Sequence, residues 1–425
     1  MSDRPLSPVL VAAFETVMAA RTIHCIYQPI VSLETSSTVA YEALARGPAG
    51  TSWFMPDALV GYAMRVGRLP ELDWICRAAA CRGALAAKLP LDVPLFVNVE
   101  PASSRTTCPP DLLKFIRPAV ETLQIVAEIT ERSVASDPAG LLGAVDVLRE
   151  YSNRIALDDV GADAATQAMM SLIQPDVIKI DRSVIQAPDA PSNASVIAAV
   201  CAESDRTGAV ILAEGIETPE HLASAKAMGA TFGQGWLFGR PGALPRHHER
   251  SGVRLPHLAP VTTDAVTPFQ VASRAQTASR ATKPTMLALS RGLEDLGLHA
   301  DEPTVLLTTF QHARFFDEAT QRRYRTLADN GILTATFAEG MPPRPAPQIQ
   351  GVSLEPNDPL VGEWNVIVVG SRFAGGLFAK ERVPADGRER EFDLVESYDR
   401  DLVLAAARPL LARLSPADPV LYALR

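Results

Sequence analysis

Along the first half of this sequence, short apolar runs end repeatedly in a carboxylate, an amide or a lysine. The residues are Glu42, Asn98, Glu128 and Glu131, Asp158 and Asp159, Lys179 and Asp181, Glu214 and Glu217, and Gln234. Taken singly, each has an ordinary reading. A glutamate at a strand end is usually solvated, Asn98 and Asp158 could cap the segments that follow, and Lys179 could lie at the surface. Taken together, one kind of position filled across seven runs asks for one explanation. Oxygen ligands from Asp, Glu and Asn suit hard divalent ions such as Mg²⁺, Mn²⁺ or Ca²⁺. Converging carboxylates are costly unless cations neutralise them. Of the seven histidines only His24 falls near such a position, which disfavours a His-rich zinc site.

Two divalent ions about 4 Å apart activate water and stabilise both oxygens of an in-line phosphoryl displacement. The adjacent Asp158 and Asp159 can each address one of two neighbouring ions. Side chains alternate along a strand, so the two cannot both come from a regular strand interior. The pair is expected where the strand opens into a loop. Lys179 beside the metals would hold an attacking hydroxide or neutralise a phosphate oxygen. Arg46, just beyond Glu42, is placed to grip a phosphate in bidentate fashion. From residues alone, the chemistry is metal-dependent phosphoester hydrolysis.

The elements that must position these groups can be read from the runs themselves. "IYQPIVSL", "TVAYEALA", "PLFVNVE", "QIVAEITE", "RIALDDVGA", "VIKID", "AVILAEGIE" and "TFGQGWLFG" are eight strand candidates between Cys25 and Pro241. Ala- and Leu-rich helical segments such as "ELDWICRAAACRGALAAK" and "PAGLLGAVDVLREYS" separate most of them. Strands alternating with helices argue for a parallel sheet buried on both faces. Eight of them suggest a (β/α)8 barrel, in which strand carboxyl ends share one rim. An open doubly wound sheet is the alternative, weakened by the absence of a Gly-rich dinucleotide fingerprint. A Pro-, Arg- and His-rich stretch over 246–265 reads as a linker. A second α/β region follows over 266–425, with strands at "TVLLTTF", "ILTATFAEG", "GVSL", "EWNVIVVG" and "AGGLFAKE". "QRRYRTLADNG" reads as a helix, and "VESYDRDLVLAAARPLLARL" as a closing amphipathic helix.

The 425 residues fit two domains, and 47% hydrophobic content is ample for packed cores. A net charge of −9 argues against binding a nucleic-acid polymer through its backbone. The five cysteines show no metal-like pairing, and idle thiols in a reducing cytoplasm are the reading they support. Near the amino terminus, "VLVAAFETVMAA" reads as an amphipathic helix rather than a signal peptide. No uninterrupted apolar run reaches the roughly 18 residues that a membrane span needs.

The order of motifs adds a resemblance. "QPIVSL", "EALAR", "FVNVEP", "EITE", "LDDVGA", "VIKID", "AEGIE" and "QGWLFGRP" occur in sequence, and over residues 20–245 the chain resembles the EAL-domain family of bacterial cyclic-di-GMP phosphodiesterases. The resemblance implies a modified TIM barrel that hydrolyses cyclic di-GMP to linear pGpG with two ions of Mg²⁺ or Mn²⁺, in a cytoplasmic homodimer. It implies that Glu42, Asn98, Glu128 and Asp158 bind the first metal, with Asp158 bridging to a second completed by Asp159 and Glu214. Glu214 then counts among the catalytic groups as well. Lys179 would contact the attacking water. Gln28, Arg46, Asp181 and Gln234 would lie on the substrate side. Glu131 would hold the loop after the aspartate pair, and Glu217 would support the site from behind.

The sequence also departs from the family pattern. Where the family usually reads "DDFGTG", residues 158–163 read "DDVGAD", with Val160 in place of Phe. That loop couples substrate, metal and dimer contacts in the family. Glu100 stands where the family commonly has Ser. Residues 266–415 resemble a DICT domain through "TPFQVAS", "KPTMLALSRGLE", "TVLLTTFQHARFF", "YRTLADNG" and "EWNVIVVG". This implies a smaller α/β sensory domain for an unknown ligand or protein, with Phe310, Phe315 and Phe316 read as core. Two functions are thereby set against each other. One is a phosphodiesterase regulated by its C-terminal domain. The other is a catalytically weak barrel serving as a cyclic-di-GMP receptor or protein-interaction module.

Overall fold

The computed structural model describes residues 7–130, 137–150, 153–161, 164–190, 193–247, 255–256, 266–300, 302–382 and 390–414. Eight strands close a barrel in chain order: β1 (His24–Ser32), β2 (Thr38–Arg46), β3 (Leu95–Asn98), β4 (Ile125–Thr130), β5 (Arg154–Val160), β6 (Val177–Ile180), β7 (Val210–Ala213) and β8 (Phe232–Gly233). Around them lie α1 (Pro8–Ala20), α2 (Pro56–Arg65), α3 (Leu69–Ala86), α4 (Leu113–Thr122), α5 (Pro138–Glu150), α6 (Ala164–Ile173), α7 (Arg182–Gln186), α8 (Asn193–Thr207) and α9 (Pro219–Ala227). All eight strand candidates are therefore strands, but they do not all run one way. β1 is antiparallel to both β2 and β8, while β2 through β8 are parallel. A tight turn joins β1 to β2, and a hairpin needs no crossover helix.

Period-2 alternation fills this barrel in layers. Ala40, Phe96, Val126, Ala156, Val177, Leu212 and Phe232 pack as one apolar plug inside it. Two residues further on, still in the strand or, for Glu214 and Gln234, one residue past its end, stand Glu42, Asn98, Glu128, Asp158, Lys179, Glu214 and Gln234. β1 obeys the rule in reverse. Its plug residue Ile30 comes after Gln28, which pairs in register with Glu42. The antiparallel first strand thus brings its polar residue to the same end. Leu255, in the stretch read as a linker, is also buried in the plug, and Arg154 Nε donates to the Pro256 carbonyl at 2.8 Å. That short segment is a stopper at the amino ends of the strands as well as a connection.

The second domain is a seven-stranded sheet of order β12-β11-β10-β13-β14-β15-β9. Its elements in chain order are α10 (Pro268–Ala275), β9 (Ser279–Thr282), α11 (Lys283–Leu298), β10 (Val305–His312), α12 (Glu318–Asn330), β11 (Leu333–Glu339), β12 (Ile349–Leu354), β13 (Glu363–Val369), β14 (Ala374–Glu381), β15 (Glu391–Ser397) and α13 (Arg400–Leu414). Leu306, Val366, Val368 and Leu377 face α11 and α12. Val305, Leu307, Ile367 and Phe378 face α10 and α13.

Two expectations change here. "EFDLVES" is strand β15, so the closing helix starts at Arg400 rather than at Val395. Nor is α13 amphipathic in the usual sense. Val403, Leu404, Ala406, Ala407, Leu410 and Leu411 are all buried, because the helix lies between the sheet and barrel helices α5 and α6. A helix covered on two sides has no face to leave polar.

Candidate active site

Lys179, on β6, is the hub of the rim. Its Nζ lies 2.6 Å from Glu128 Oε1, 2.7 Å from Asp158 Oδ1, 2.7 Å from Glu214 Oε1 and 3.7 Å from Glu42 Oε1. Lys179 and Glu128 are fully buried. Burial alone would push the Lys179 ammonium towards its neutral form, but the surrounding carboxylates outweigh it and hold the pKa well above the usual value. Burial drives the Glu128 pKa far up, aided by Glu42 and opposed by Lys179. Burial also raises Glu214 to about 8 against the pull of Lys179, and Asp159 to about 6 with help from neighbouring Asp158. One ammonium thus serves five carboxylates.

Those carboxylates form two overlapping sets. Glu42, Glu128 and Asp158 make one; Asp158, Asp159 and Glu214 make the other. Within each set a ligand oxygen from every residue lies within 4.8 Å of the others. Hard oxygen donors in two sets that share one aspartate, with too little positive charge from the protein, fit a pair of divalent cations. The amides close the ring. Asn98 Nδ2 donates to Glu128 Oε2 at 3.3 Å, and Gln234 Nε2 donates to Glu42 Oε2 at 2.5 Å.

The aspartate pair sits where alternation breaks. Pairing of β5 with β6 shifts register between Leu157 and Val160, and Asp159 has φ +58°. Asp is one of the few non-glycine residues that adopts this left-handed conformation readily. The backbone turn lets Asp159 join Asp158 at the site instead of pointing to the opposite face. Val160 is fully buried in the barrel wall. Gly161 follows at φ +117°, with the position of a β-carbon only 2.6 Å from Val184 Cγ2. Ala162 and Asp163 lie outside the described residues.

A cavity of about 330 Å³ opens beside the carboxylates, lined by Arg46, Asp73, Asn98, Glu100, Asp158 and Asp159 among others. The Arg46 guanidinium there donates to the Ala45 carbonyl at 2.7 Å. Gln28 Nε2 donates to the Gly239 carbonyl at 3.3 Å. Asp181 caps α7, accepting from the Ser183 N–H at 2.8 Å, and its charge reaches Asp159. Glu217 is exposed, and its backbone N–H donates to His221 Nδ1 at 3.3 Å. Glu131 lies outside the described residues.

Asp73 escaped the sequence reading. It sits inside α3, its Oδ2 accepts from Arg77 Nε at 2.7 Å, and its Oδ1 accepts from the Glu100 N–H at 3.0 Å. It therefore fixes the turn after β3 that carries Asn98. The available signal was an Asp and an Arg four residues apart in an otherwise apolar helix, "LDWICRAAAC".

Residues 12–241 match the model of the EAL domain. The chain belongs to the EAL-domain family. Residues 266–382 match the DICT domain, described as a sensory domain in diguanylate cyclases and two-component systems. Relatives of the EAL-domain part include the probable cyclic di-GMP phosphodiesterase PdeB of Escherichia coli. It is 30% identical over 225 residues, covering 52% of this chain and 42% of PdeB. Cyclic di-GMP phosphodiesterase NbdA of Pseudomonas aeruginosa is 29% identical over 223 residues, covering 51% of this chain and 28% of NbdA. This EAL chain therefore matches less than half the length of either relative. Among solved structures, the PaMucR phosphodiesterase–c-di-GMP complex aligns with a TM-score of 0.47 at 22% identity, over 55% of this chain and 97% of that one. Among the described residues, no helix is long and apolar enough to cross a membrane.

Proposed function

We propose that the barrel is a cyclic-di-GMP phosphodiesterase yielding linear pGpG, with Mg²⁺ or Mn²⁺ as resident cofactors. The observation that carries this reading is the pair of carboxylate sets sharing Asp158 at the barrel mouth. Glu42, Asn98, Glu128 and Asp158 would hold one ion, and Asp158, Asp159 and Glu214 the other. Bound there, the cations supply an acidified water and neutralise charge on the phosphate oxygens. With its raised pKa, Lys179 stays protonated, so it donates hydrogen bonds to the attacking oxygen rather than taking its proton. The water oxygen gives up one proton to solvent and bonds to phosphorus, the P–O3′ bond breaks, and the 3′-oxygen takes one proton back from solvent. Arg46 at the cavity wall meets a phosphate, and Gln28, Gln234 and Asp181 stand on the dinucleotide's side of the site.

The C-terminal domain regulates this barrel through α13. Arg408 reaches Asp146 on α5 at 3.1 Å and Gln174, just after α6, at 3.0 Å; Arg400 donates to Ser171 Oγ at 2.6 Å. α6 is the helix that follows the aspartate loop, so movement of α13 bears on the segment behind the site.

The test is chromatographic detection of pGpG from cyclic di-GMP with purified protein in Mn²⁺ or Mg²⁺. Turnover abolished by EDTA and restored by Mn²⁺ is expected. Tight binding in Ca²⁺ with no pGpG in either catalytic metal would replace this reading with the receptor reading.

A further inference from the structure

The C-terminal domain holds a cavity of its own, about 370 Å³, at the carboxyl end of β10 between α11 and α12. That volume is in the range of small-molecule sites, and strand carboxyl ends in α/β sheets are where such sites form. Its walls are aromatic: Phe310, Phe315, Tyr324 and Trp364 all line it. Phe316 is core as the sequence suggested, but Phe315 is 38% exposed, held on the cavity wall between Arg314 and Arg390. Phe315 and the two guanidiniums over its ring give this wall an aromatic and cationic surface.

The charge of the lining is one-sided. Five cations stand against two carboxylates, Glu294 and Asp317. Both carboxylates are already engaged. Glu294 takes Arg323 Nε at 2.5 Å and the Tyr324 hydroxyl at 2.9 Å, and Asp317 caps α12 by accepting from the Thr320 N–H at 2.8 Å. Lys283, Arg291 and Arg314 are in no ion pair among the described residues. On the wall formed by α11, Ser290 is 4% exposed, and its Oγ has no hydrogen-bond partner among the described residues. A buried hydroxyl without a partner is costly, so a ligand atom that completes it is favoured there.

We propose that this cavity is the ligand site of the sensory domain and that it takes a small planar aromatic anion. The ring lies against Phe315, the anionic group meets Arg291 and Arg314, and a polar atom of the ligand bonds Ser290 Oγ. A nucleoside monophosphate and an aromatic carboxylate share this chemistry.

Calorimetric titration of the full chain in EDTA, which keeps divalent cations from the barrel site, tests the proposal without any turnover. The probes are adenosine 5′-monophosphate and 1-naphthoate, with adenosine and 1-naphthalenemethanol as neutral counterparts. Saturable binding of at least one anion, ten-fold or more tighter than its neutral partner, is expected. The anion that binds identifies the source. The exposed double variant Arg291→Gln, Arg314→Gln should weaken it at least ten-fold, and Ser290→Leu and Phe315→Ala should each weaken it several-fold. No saturable binding of either anion, equal binding of the neutral probes, or wild-type affinity in both the arginine and the Phe315 variants would overturn the assignment.

Discussion

Lys179 and Glu42 carry opposite kinds of prediction. Lys179 is an ammonium enclosed by carboxylates, and in the proposed reaction its part is in the transition state, where charge on the attacking oxygen grows. Lys179→Ala should lower kcat by about 100-fold or more. Affinity for cyclic di-GMP measured in Ca²⁺ should change by no more than about five-fold on the same argument. A large loss of affinity with unchanged turnover would remove Lys179 from the reaction. Glu42 belongs to a ligand set and sits above the apolar plug rather than in it. Glu42→Ala should therefore abolish Mn²⁺-dependent turnover and weaken Mn²⁺ binding by calorimetry, with an unchanged circular dichroism spectrum. Wild-type turnover at limiting Mn²⁺ would take Glu42 out of the metal site.

At the scale of elements, the end of β5 is the decisive piece. A left-handed Asp159 followed by Gly161 swings two consecutive carboxylates into one site. A β-carbon at Gly161 would meet Val184 Cγ2 at 2.6 Å and Val196 Cγ1 at 3.1 Å, and the positive φ is itself costly for alanine. Gly161→Ala should destabilise the protein by about 1–3 kcal/mol. It should also cut turnover more than ten-fold, because the backbone that aims Asp158 and Asp159 has to shift. A melting temperature and a kcat equal to wild type would show that the turn tolerates a side chain. Val160, which is smaller than the aromatic residue common there, is fully enclosed by the barrel wall, so the substitution is absorbed by packing.

For the whole molecule, α13 makes one apolar cluster out of two domains. Leu404 and Ala407 are buried in the same cluster as Leu141 and Val145 of α5 and Met169 and Leu172 of α6. The two domains should unfold in a single calorimetric transition. Leu404 shares a helical stripe with Arg400 and Arg408, both of which contact the barrel. Leu404→Asp would bury an unpaired carboxylate at that contact, at a cost of several kcal/mol. It should split the endotherm in two and change kcat at least two-fold relative to wild type. A single unsplit transition with wild-type kcat would show that the domains are not coupled through this helix.

The barrel and its polar rim were legible because both rest on period-2 alternation, which is written along the chain. Ala40 then Glu42, Phe96 then Asn98, Leu212 then Glu214 show the same apolar-to-polar step, and strand number follows from counting the runs. Metal-type chemistry was legible in the residue types. The polar turn between "IYQPIVSL" and "TVAYEALA" is too short for a parallel crossover, so the reversal of β1 against β2 was written in the sequence. Other features depended on the tertiary structure. That β1 also closes the barrel against β8, with Gln28 opposite Glu42, came only from the pairing. Asp73 looked like any helical carboxylate until α3 packed it under the turn at Glu100. α13 looked amphipathic because a helix covered on two sides differs from one covered on one side only through what lies against it. The cavity beside Phe315 is a product of strands and helices far apart in sequence, and burial of such a space is a property of packing, which no local pattern encodes.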